Sequence, residues 1–162
     1  MEGAICKMIY IGIIIAIFYL IILIWLTYGI AQYRQNKDLT FLPGVTVIIS
    51  AHNEESNIKQ LLDSMINQTY QGEYQIIIAN DRSNDSTAQI IKDYIQKYSS
   101  IELINIKQTF IGWGSKKWAL NQCIEKSKYD IILQTDADCI PKSKWIESMV
   151  NEFADPDVIF IS

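Results

Sequence analysis

The chain has 162 residues, 49% of them hydrophobic, so it is long enough to bury an apolar core. Its 18 acidic residues outnumber its 14 basic residues and give a formal net charge of −4. This balance argues against a nucleic-acid partner, which usually requires a basic surface. The three cysteines have no metal-like spacing and argue against a disulfide framework.

An uncharged, apolar segment of 26 residues runs from Met8 to Tyr33. As a helix it would be about 39 Å long, whereas the hydrocarbon core of a bilayer is about 30 Å thick. Tyr10, Trp25, Tyr28 and Tyr33 lie toward its ends, and it has no small-residue cleavage site that would indicate a signal peptide. We therefore predict a transmembrane helix with a short leader over residues 1–33.

The charges that flank this segment predict its orientation. Lys7 is offset by Glu2 on the leading side, whereas Arg34 and Lys37 follow the segment. The positive-inside rule then predicts a single pass through the plasma (inner) membrane, with the C-terminal part facing the cytoplasm. Residues 34–44 are predicted to be a linker.

From residue 45 onward, short β-branched runs alternate with helical periodicities. Continuous apolar runs suit strands buried on both faces of a parallel sheet. The predicted strands are Val45–Ser50, Gln75–Asn80, Ile101–Lys107, Asp130–Gln134 and Val158–Ile161. The helical patterns centre on Ile58–Ile66, Ile90–Ile95, Trp118–Ile124 and Trp145–Phe153, with Pro141 in the first turn of the last helix. This order predicts an open α/β sheet of the nucleotide-binding type.

Polar clusters follow three of the predicted strands: "SAHNEE", "ANDRSND" and "TDADC". In open α/β sheets, ligands bind outside the carboxyl ends of the strands. We therefore expect the three clusters to meet at one edge of the sheet and to form a site there.

Asp136 and Asp138 stand two residues apart in the third cluster. Alone, the pair could be an acidic turn, an acid–base pair or a metal site. Crowded carboxylates repel one another, so their convergence with two other acidic clusters favours a bound cation. Carboxylate oxygens prefer Mg²⁺ or Mn²⁺, and such an ion would neutralise a leaving diphosphate.

The first two clusters contain further candidates. The Asp81 carboxylate can accept a hydrogen bond from the N–H of a pyrimidine base, and Glu54 can accept one from a ribose hydroxyl. For Asp85 we favour a turn that caps the next helix, and for Glu55 a solvated charge.

Two groups of basic side chains have both a structural and a functional interpretation. Lys116 and Lys117 open a predicted helix, where cations oppose the helix dipole and a nearby phosphate would remove that cost. A lysine pair is otherwise ordinary surface. His52 is the only histidine, and we take it as a polar residue at the end of a strand rather than a ligand.

Four segments, in order, resemble the donor-binding half of processive family 2 glycosyltransferases. They are "VTVIISAHNEESNIKQLLDSMINQTY", "IIIANDRSNDST", "KKWALNQCIEKSKYDIILQTDADCIP" and "WIESMVNEFADPDV". The resemblance covers residues 45–162 and implies a partial GT-A domain, a UDP-sugar donor, a divalent metal and an inverting transfer. It also implies a cell-envelope or lipid-linked acceptor, either a lipid or a polysaccharide.

The resemblance assigns roles to individual positions. It implies that Ala51, Glu54 and Asp81 bind the nucleoside, Lys116 approaches the diphosphate, Asp136 lies beside the ribose or sugar, and Asp138 ligates the metal. Two positions depart from the family pattern: Asn80 stands where aspartate is common, and Ser115 where glycine often precedes the lysine.

The family's acceptor half, with the carboxylate that deprotonates the acceptor, would follow residue 162. Asp155 and Asp157 look like turn residues at the wrong end of the sheet, so no base is apparent. We therefore expect a fragment or truncated product that binds donor but transfers nothing. Two alternatives stay open: a non-catalytic nucleotide-binding membrane subunit, and a Mg-dependent phosphohydrolase with Asp136 as nucleophile.

Overall fold

The computed structural model describes residues 2–35 and 41–160, which fall into two compact units. The first unit is one helix, α1 (Glu2–Gln35). Its segment Ile9–Gly29 is 21 residues long, has a mean hydropathy of 2.9 and contains no buried residue. Within the described ranges, this is the one helix whose length and composition would let it cross a membrane. Helix α1 extends two residues into the predicted linker, and linker residues 36–40 lie outside the described residues.

The second unit, which we call the α/β unit, is built from alternating strands and helices. In chain order these are β1 (Val45–Ala51), α2 (Ile58–Ile66), β2 (Tyr74–Asp81), α3 (Thr87–Ile95), β3 (Ile101–Ile106), α4 (Ser115–Ile124), β4 (Ile131–Asp136), α5 (Trp145–Val150) and a 3₁₀ turn (Asn151–Ala154). The four strands form one parallel sheet in the order β3-β2-β1-β4. The predicted open α/β sheet is confirmed.

Strand β1 is the centre of the sheet and is covered on both faces. Its side chains at Val45, Val47 and Ile49 pack into a core formed with α2, α3 and α5. The intervening Ile48 belongs to a second, smaller core beneath α4. Because successive strand residues point to opposite faces, a run apolar at nearly every position is what a strand buried on both sides requires.

The sheet register brings the strand ends together at one edge. Ala51 is level with Asn80 of β2, and Ser50 is level with Asp136 of β4. The chain order reverses direction at β1, since β2 lies on one side of it and β4 on the other. Such a switch point leaves a crevice outside the carboxyl ends of the strands, where ligands bind in this architecture.

Two predictions of local structure were wrong. Pro141 does not lie in the first turn of α5, which begins at Trp145. The segment before that helix forms a turn (Trp145 N to Lys142 O, 2.9 Å), and the carbonyl oxygens of Lys142 and Ser143 accept hydrogen bonds from the loop after α2. These tertiary hydrogen bonds hold the segment outside the helix.

The strand predicted at Val158–Ile161 is absent from residues 158–160, and Ile161 lies outside the described residues. The Val158 N–H instead donates to the carbonyl of Asp155 (3.0 Å) within a turn. A β-branched run becomes a strand only through hydrogen bonds to a neighbouring strand, and this segment uses its first donor locally.

Candidate functional site

A cavity of about 510 Å³ lies at the switch point, outside the carboxyl ends of β1, β2 and β4. This volume falls within the range of small-molecule sites. It is lined by Ser50, His52, Glu54, Asp81, Arg82, Ser115, Lys116, Asp136, Ala137 and Asp138.

Five of the six predicted site residues line this cavity: Glu54, Asp81, Lys116, Asp136 and Asp138. Ala51 does not. Its side chain is buried in the apolar core at the end of β1. The predicted convergence of the three polar clusters therefore holds, and the cavity they form contains four carboxylates.

Asp81 is the buried carboxylate of the cavity, with a side chain only 7% exposed. Arg82 donates from Nε to its Oδ1 (2.9 Å), and the Ser115 hydroxyl donates to its Oδ2. Burial opposes ionisation of Asp81, but the hydrogen bonds from Arg82 and Ser115 and the guanidinium charge outweigh it. The pKa of this carboxyl therefore lies below its ordinary value.

Arg82 has an unusual backbone conformation and makes a second side-chain hydrogen bond. Its φ is +57°, a left-handed conformation that is uncommon for a residue other than glycine. The guanidinium also donates from Nη2 to the Ser115 hydroxyl oxygen. Arg82, Asp81 and Ser115 thus form a closed polar triangle that ties the end of β2 to the first residue of α4.

His52 forms a hydrogen bond to the same end of β2. Its ring N–H at Nδ1 donates to the backbone carbonyl of Asp81 (2.6 Å), and because a carbonyl can only accept, Nδ1 carries the proton. The neighbouring Asn53 has a φ of +55°. The description of His52 as a strand-end polar residue holds, and the structure adds that its side chain lines the cavity.

Lys116 and Asp136 form an ion pair across the cavity (Nζ to Oδ1, 2.7 Å). Both side chains are about half exposed, so the pair contributes between roughly 0 and 1 kcal/mol to stability. An anionic ligand can therefore compete for Lys116 at little cost. The lysine lies in the first turn of α4, where a bound anion would also relieve its repulsion with the helix dipole.

Asp138 is exposed at the rim of the cavity, two residues beyond the end of β4. A turn closed by Cys139 N and Asp136 O (3.2 Å) carries it there. In residues 2–35 and 41–160 no three His, Cys, Asp or Glu side chains are grouped to hold a metal by themselves. The carboxylate oxygens of Asp136 and Asp138 suit a hard divalent cation whose remaining ligands would come from water and a diphosphate.

The loops after β1 and β2 are joined by hydrogen bonds that position Glu54. The Glu54 N–H donates to the hydroxyl of Thr87 (2.8 Å), which is fully buried at the start of α3. Asp85 accepts from the Thr87 N–H (3.0 Å), as its predicted turn role requires. Glu55 is exposed, as predicted for a solvated charge, and also accepts a hydrogen bond from the Ser86 N–H (3.0 Å).

Arg82 and Ser115 were not predicted to belong to the site. Arg82 directly follows a predicted site residue, and Ser115 directly precedes another, but sequence adjacency does not reveal that they meet each other. Their contact joins residues 33 positions apart and depends on how β2 and α4 pack.

Comparison with known proteins identifies the family of this architecture. Residues 46–162 match the family model "Glycosyl transferase family 2". The chain is 37% identical over 123 residues to "Probable glycosyltransferase YdaM" of Bacillus subtilis, covering 75% of this chain and 29% of that protein. It is 32% identical over 108 residues to "Beta-monoglucosyldiacylglycerol synthase" of Trichormus variabilis, covering 66% of this chain and 23% of that protein.

Two solved structures share the fold. A mannosyltransferase from Pyrobaculum calidifontis, in complex with GDP-Man and Mn²⁺, superposes with a TM-score of 0.64 at 26% identity, covering 83% of this chain and 41% of that chain. TarS of S. aureus (residues 1–349), in complex with UDP-GlcNAc, superposes with a TM-score of 0.59 at 23% identity, covering 70% of this chain and 31% of that chain. The chain thus spans about a quarter to two fifths of the length of these four proteins.

Proposed function

Because this chain belongs to glycosyltransferase family 2, we propose that its cavity binds the UDP-sugar donor of a membrane-anchored, inverting transferase. The observation that carries the proposal is the composition of the cavity at the switch point: four carboxylates with one arginine and one lysine. An excess of negative charge in one cavity suits a ligand that brings a cation with it. A sugar nucleotide with a divalent metal is such a ligand.

Each of these residues would bind a different part of the donor. Asp81, which stays ionised, accepts the N–H of the uracil ring, and Glu54 accepts a ribose hydroxyl. Ala51, whose side chain is buried, can take part only through its backbone at the end of β1. Lys116 leaves Asp136 for the diphosphate, and Asp136 is then free to face the ribose or the sugar.

Asp138, with Asp136 nearby, would hold Mg²⁺ or Mn²⁺, and the bound ion would supply neutralising charge to the departing diphosphate. The mannosyltransferase neighbour was solved with Mn²⁺, which supports a divalent metal in this fold. Lys116 adds positive charge to the same leaving group from the side of α4. In an inverting transfer the acceptor oxygen attacks the anomeric carbon as the bond to the diphosphate breaks, so this charge acts where negative charge develops.

For the acceptor we propose a lipid-linked or cell-envelope molecule. One relative is named as a synthase of a glucosyldiacylglycerol, and α1 has the length and composition of a membrane anchor. The flanking lysine and arginine residues favour a cytoplasmic α/β unit, where UDP-sugars are made. A reporter fused after Ser162 tests this orientation: phosphatase activity outside the cytoplasmic membrane would contradict it.

Titration calorimetry with UDP tests the donor site directly. We expect binding to the 162-residue chain in detergent with Mn²⁺ and at least about tenfold weaker binding without it. Asp138→Ala should remove the effect of Mn²⁺ while leaving the fold intact. Asp130→Ala, an exposed carboxylate before β4 at the opposite edge of the sheet, is the matched control. UDP binding that is indifferent to both Mn²⁺ and Asp138 would refute the proposed metal site.

A further inference from the structure

An exposed apolar cluster lies beside the donor cavity, in the loop between β3 and α4. We call residues 107–114, "KQTFIGWG", the aromatic loop. Phe110 is 60% exposed, Trp113 37% and Ile111 94%, the highest exposure of any large apolar side chain described in the α/β unit. Gly112 has a φ of +87°, which turns the chain sharply at the tip and sets Ile111 outward.

The aromatic side chains of this cluster are held by one another. The ring of Trp118, on α4, stacks on Phe110 (centroids 5.6 Å apart) and meets Trp113 edge-on (5.6 Å). The ammonium of Lys117 lies 5.1 Å from the centre of the Trp113 ring. These contacts give the loop a defined shape and yet leave its tip in water, so the apolar surface is organised without being buried.

The charge around the loop differs in sign from that of the whole chain. No acidic residue occurs from Leu103 to Ile124, whereas three lysines do: Lys107, Lys116 and Lys117. All three are exposed, in a chain whose formal net charge is −4. An apolar, tryptophan-containing tip surrounded by cations has the composition of a segment that enters the headgroup region of an anionic bilayer.

A second exposed apolar pair, Ile159 and Phe160, does not share this composition. It follows Asp155 and Asp157, and no lysine or arginine lies between Ser148 and Ser162. Apolar exposure alone therefore does not distinguish the aromatic loop. Its combination with local positive charge does.

We propose that the aromatic loop docks on the surface of an anionic lipid bilayer, with Ile111 and the Phe110 and Trp113 rings entering the headgroup region. This inference rests on the proposed membrane anchoring by α1. Residues 36–44 connect α1 to β1, and a segment of that length reaches about 32 Å at most. The tether keeps the effective lipid concentration high, so a few apolar side chains, together with Lys107 and Lys117 outside the cavity, suffice for docking.

Docking at this loop has a consequence for the donor site. The loop runs directly into α4, whose first two residues, Ser115 and Lys116, line the cavity. A docked loop would hold that rim of the cavity close to the lipid surface. A lipid-linked acceptor could then meet the donor without leaving the bilayer.

Lipid-specific fluorescence quenching tests the proposal on the full 162-residue chain. Ile111→Cys, in a background with Cys6→Ser and Cys139→Ser, is labelled with an environment-sensitive nitrobenzoxadiazole probe and reconstituted into vesicles. The remaining Cys123 is buried, which protects it from labelling. With brominated acyl chains in phosphatidylcholine–phosphatidylglycerol vesicles, we expect at least about twofold more quenching of this probe than of one at Gln60→Cys. Gln60 is exposed on α2, on the opposite face of the sheet from α4.

Charge and lipid composition provide the controls. Lys107→Glu with Lys117→Glu, or vesicles of phosphatidylcholine alone, should reduce the quenching toward the Gln60 value, and added salt should do the same. Equal quenching of the probes at positions 111 and 60 would overturn the proposal. A probe at position 111 that becomes shielded from water without being quenched by bromolipid would also overturn it, because that result indicates a second copy or another protein on the loop. After the quenching measurement, extraction with alkaline carbonate tests separately whether α1 anchors the chain in the bilayer. A failure of loop docking can therefore be distinguished from a failure of the anchor.

Discussion

Among the described residues, Asp81 is the carboxylate that the fold buries, and the cavity is organised around it. A buried carboxylate is costly unless donors satisfy it, and Arg82 and Ser115 supply one donor to each of its oxygens. A nucleobase that binds Asp81 must therefore share or displace one of these donors. Ser115 is the more consequential partner, because it directly precedes the lysine proposed to bind the diphosphate.

Replacement of this carboxylate by an amide gives the first prediction. Asp81→Asn keeps the size of the side chain but loses one acceptor, so we expect UDP to bind at least about tenfold more weakly, as measured by calorimetry with Mn²⁺. Because the pKa of Asp81 is lowered, its charge and this contribution to binding should persist to pH values below the ordinary aspartate range and disappear as pH falls through the lowered pKa. Asp130→Asn serves as the control. Equal affinities for the two variants would show that Asp81 does not contact the ligand.

The buried hydroxyl of Thr87 gives the second prediction. It accepts from the Glu54 N–H (2.8 Å) and donates to Asp85 Oδ1 (2.5 Å). Thr87→Val has the same shape but leaves the Glu54 N–H without its acceptor, so we expect a loss of about 1–3 kcal/mol in the free energy of unfolding. Denaturation in urea, followed by tryptophan fluorescence, measures it. Thr87→Ser should retain most of the stability, and a valine variant as stable as the serine variant would contradict this role.

For helices and strands, the sequence predicts the structure well wherever one physical requirement dominates. The runs in β1 and β2 must be apolar on both faces, and both strands occur within one residue of their predicted bounds at each end. Prediction failed at Pro141, where tertiary hydrogen bonds decide the outcome, and at residues 158–160, where a local turn takes the first donor of the predicted strand. The meeting of Arg82 with Ser115 was likewise hidden, since it depends on the packing of α4 against the sheet.

The start of β1 lies in close contact with the segment that precedes β4. Gly44 lies directly before the strand, and a Cβ at this position would overlap the ring of Tyr129, which precedes β4. Gly44→Ala should therefore destabilise the α/β unit by about 1–3 kcal/mol, through displacement of the ring from its contact with Glu73. The measurement is again urea denaturation.

A double-mutant cycle separates this clash from a general preference for glycine. In a Tyr129→Ala background the alanine at position 44 has room, so its cost should fall to within about 0.5 kcal/mol of zero. An unchanged cost in that background would place the origin of the effect in the backbone of residue 44 rather than in its contact with the ring.

Within the α/β unit, two features of opposite charge lie next to each other. The donor cavity holds four carboxylates against two cations, whereas the segment from Leu103 to Ile124 carries only positive charge. Lys116 belongs to both. A ligand with a divalent cation suits the first and an anionic surface suits the second, so the two ligands that we propose would occupy adjacent surfaces of one acidic chain.

The separation of binding from transfer is the prediction that concerns the whole chain. In the described residues, the carboxylates that line the cavity are Glu54, Asp81, Asp136 and Asp138, and each has a proposed role on the donor side. An acceptor hydroxyl needs a base within hydrogen-bond reach, and a carboxylate that holds a metal or a nucleoside is a poor base.

We therefore expect the purified 162-residue chain to bind UDP with Mn²⁺ but to show no sustained transfer. The measurement supplies UDP-glucose or UDP-N-acetylglucosamine together with diacylglycerol vesicles and follows both UDP release and glycolipid formation over many equivalents of enzyme. In the same preparations the unmodified chain should bind UDP in a metal-dependent way and Asp138→Ala should not. This difference shows that the donor site is folded even when transfer is absent. Glycolipid formed in excess of the enzyme, and abolished by Asp138→Ala, would overturn this expectation and require a base within the 162-residue chain. The first candidate for the base would then be Asp136. When Lys116 leaves the Asp136 carboxylate for the diphosphate, that carboxylate is left unpaired beside the sugar.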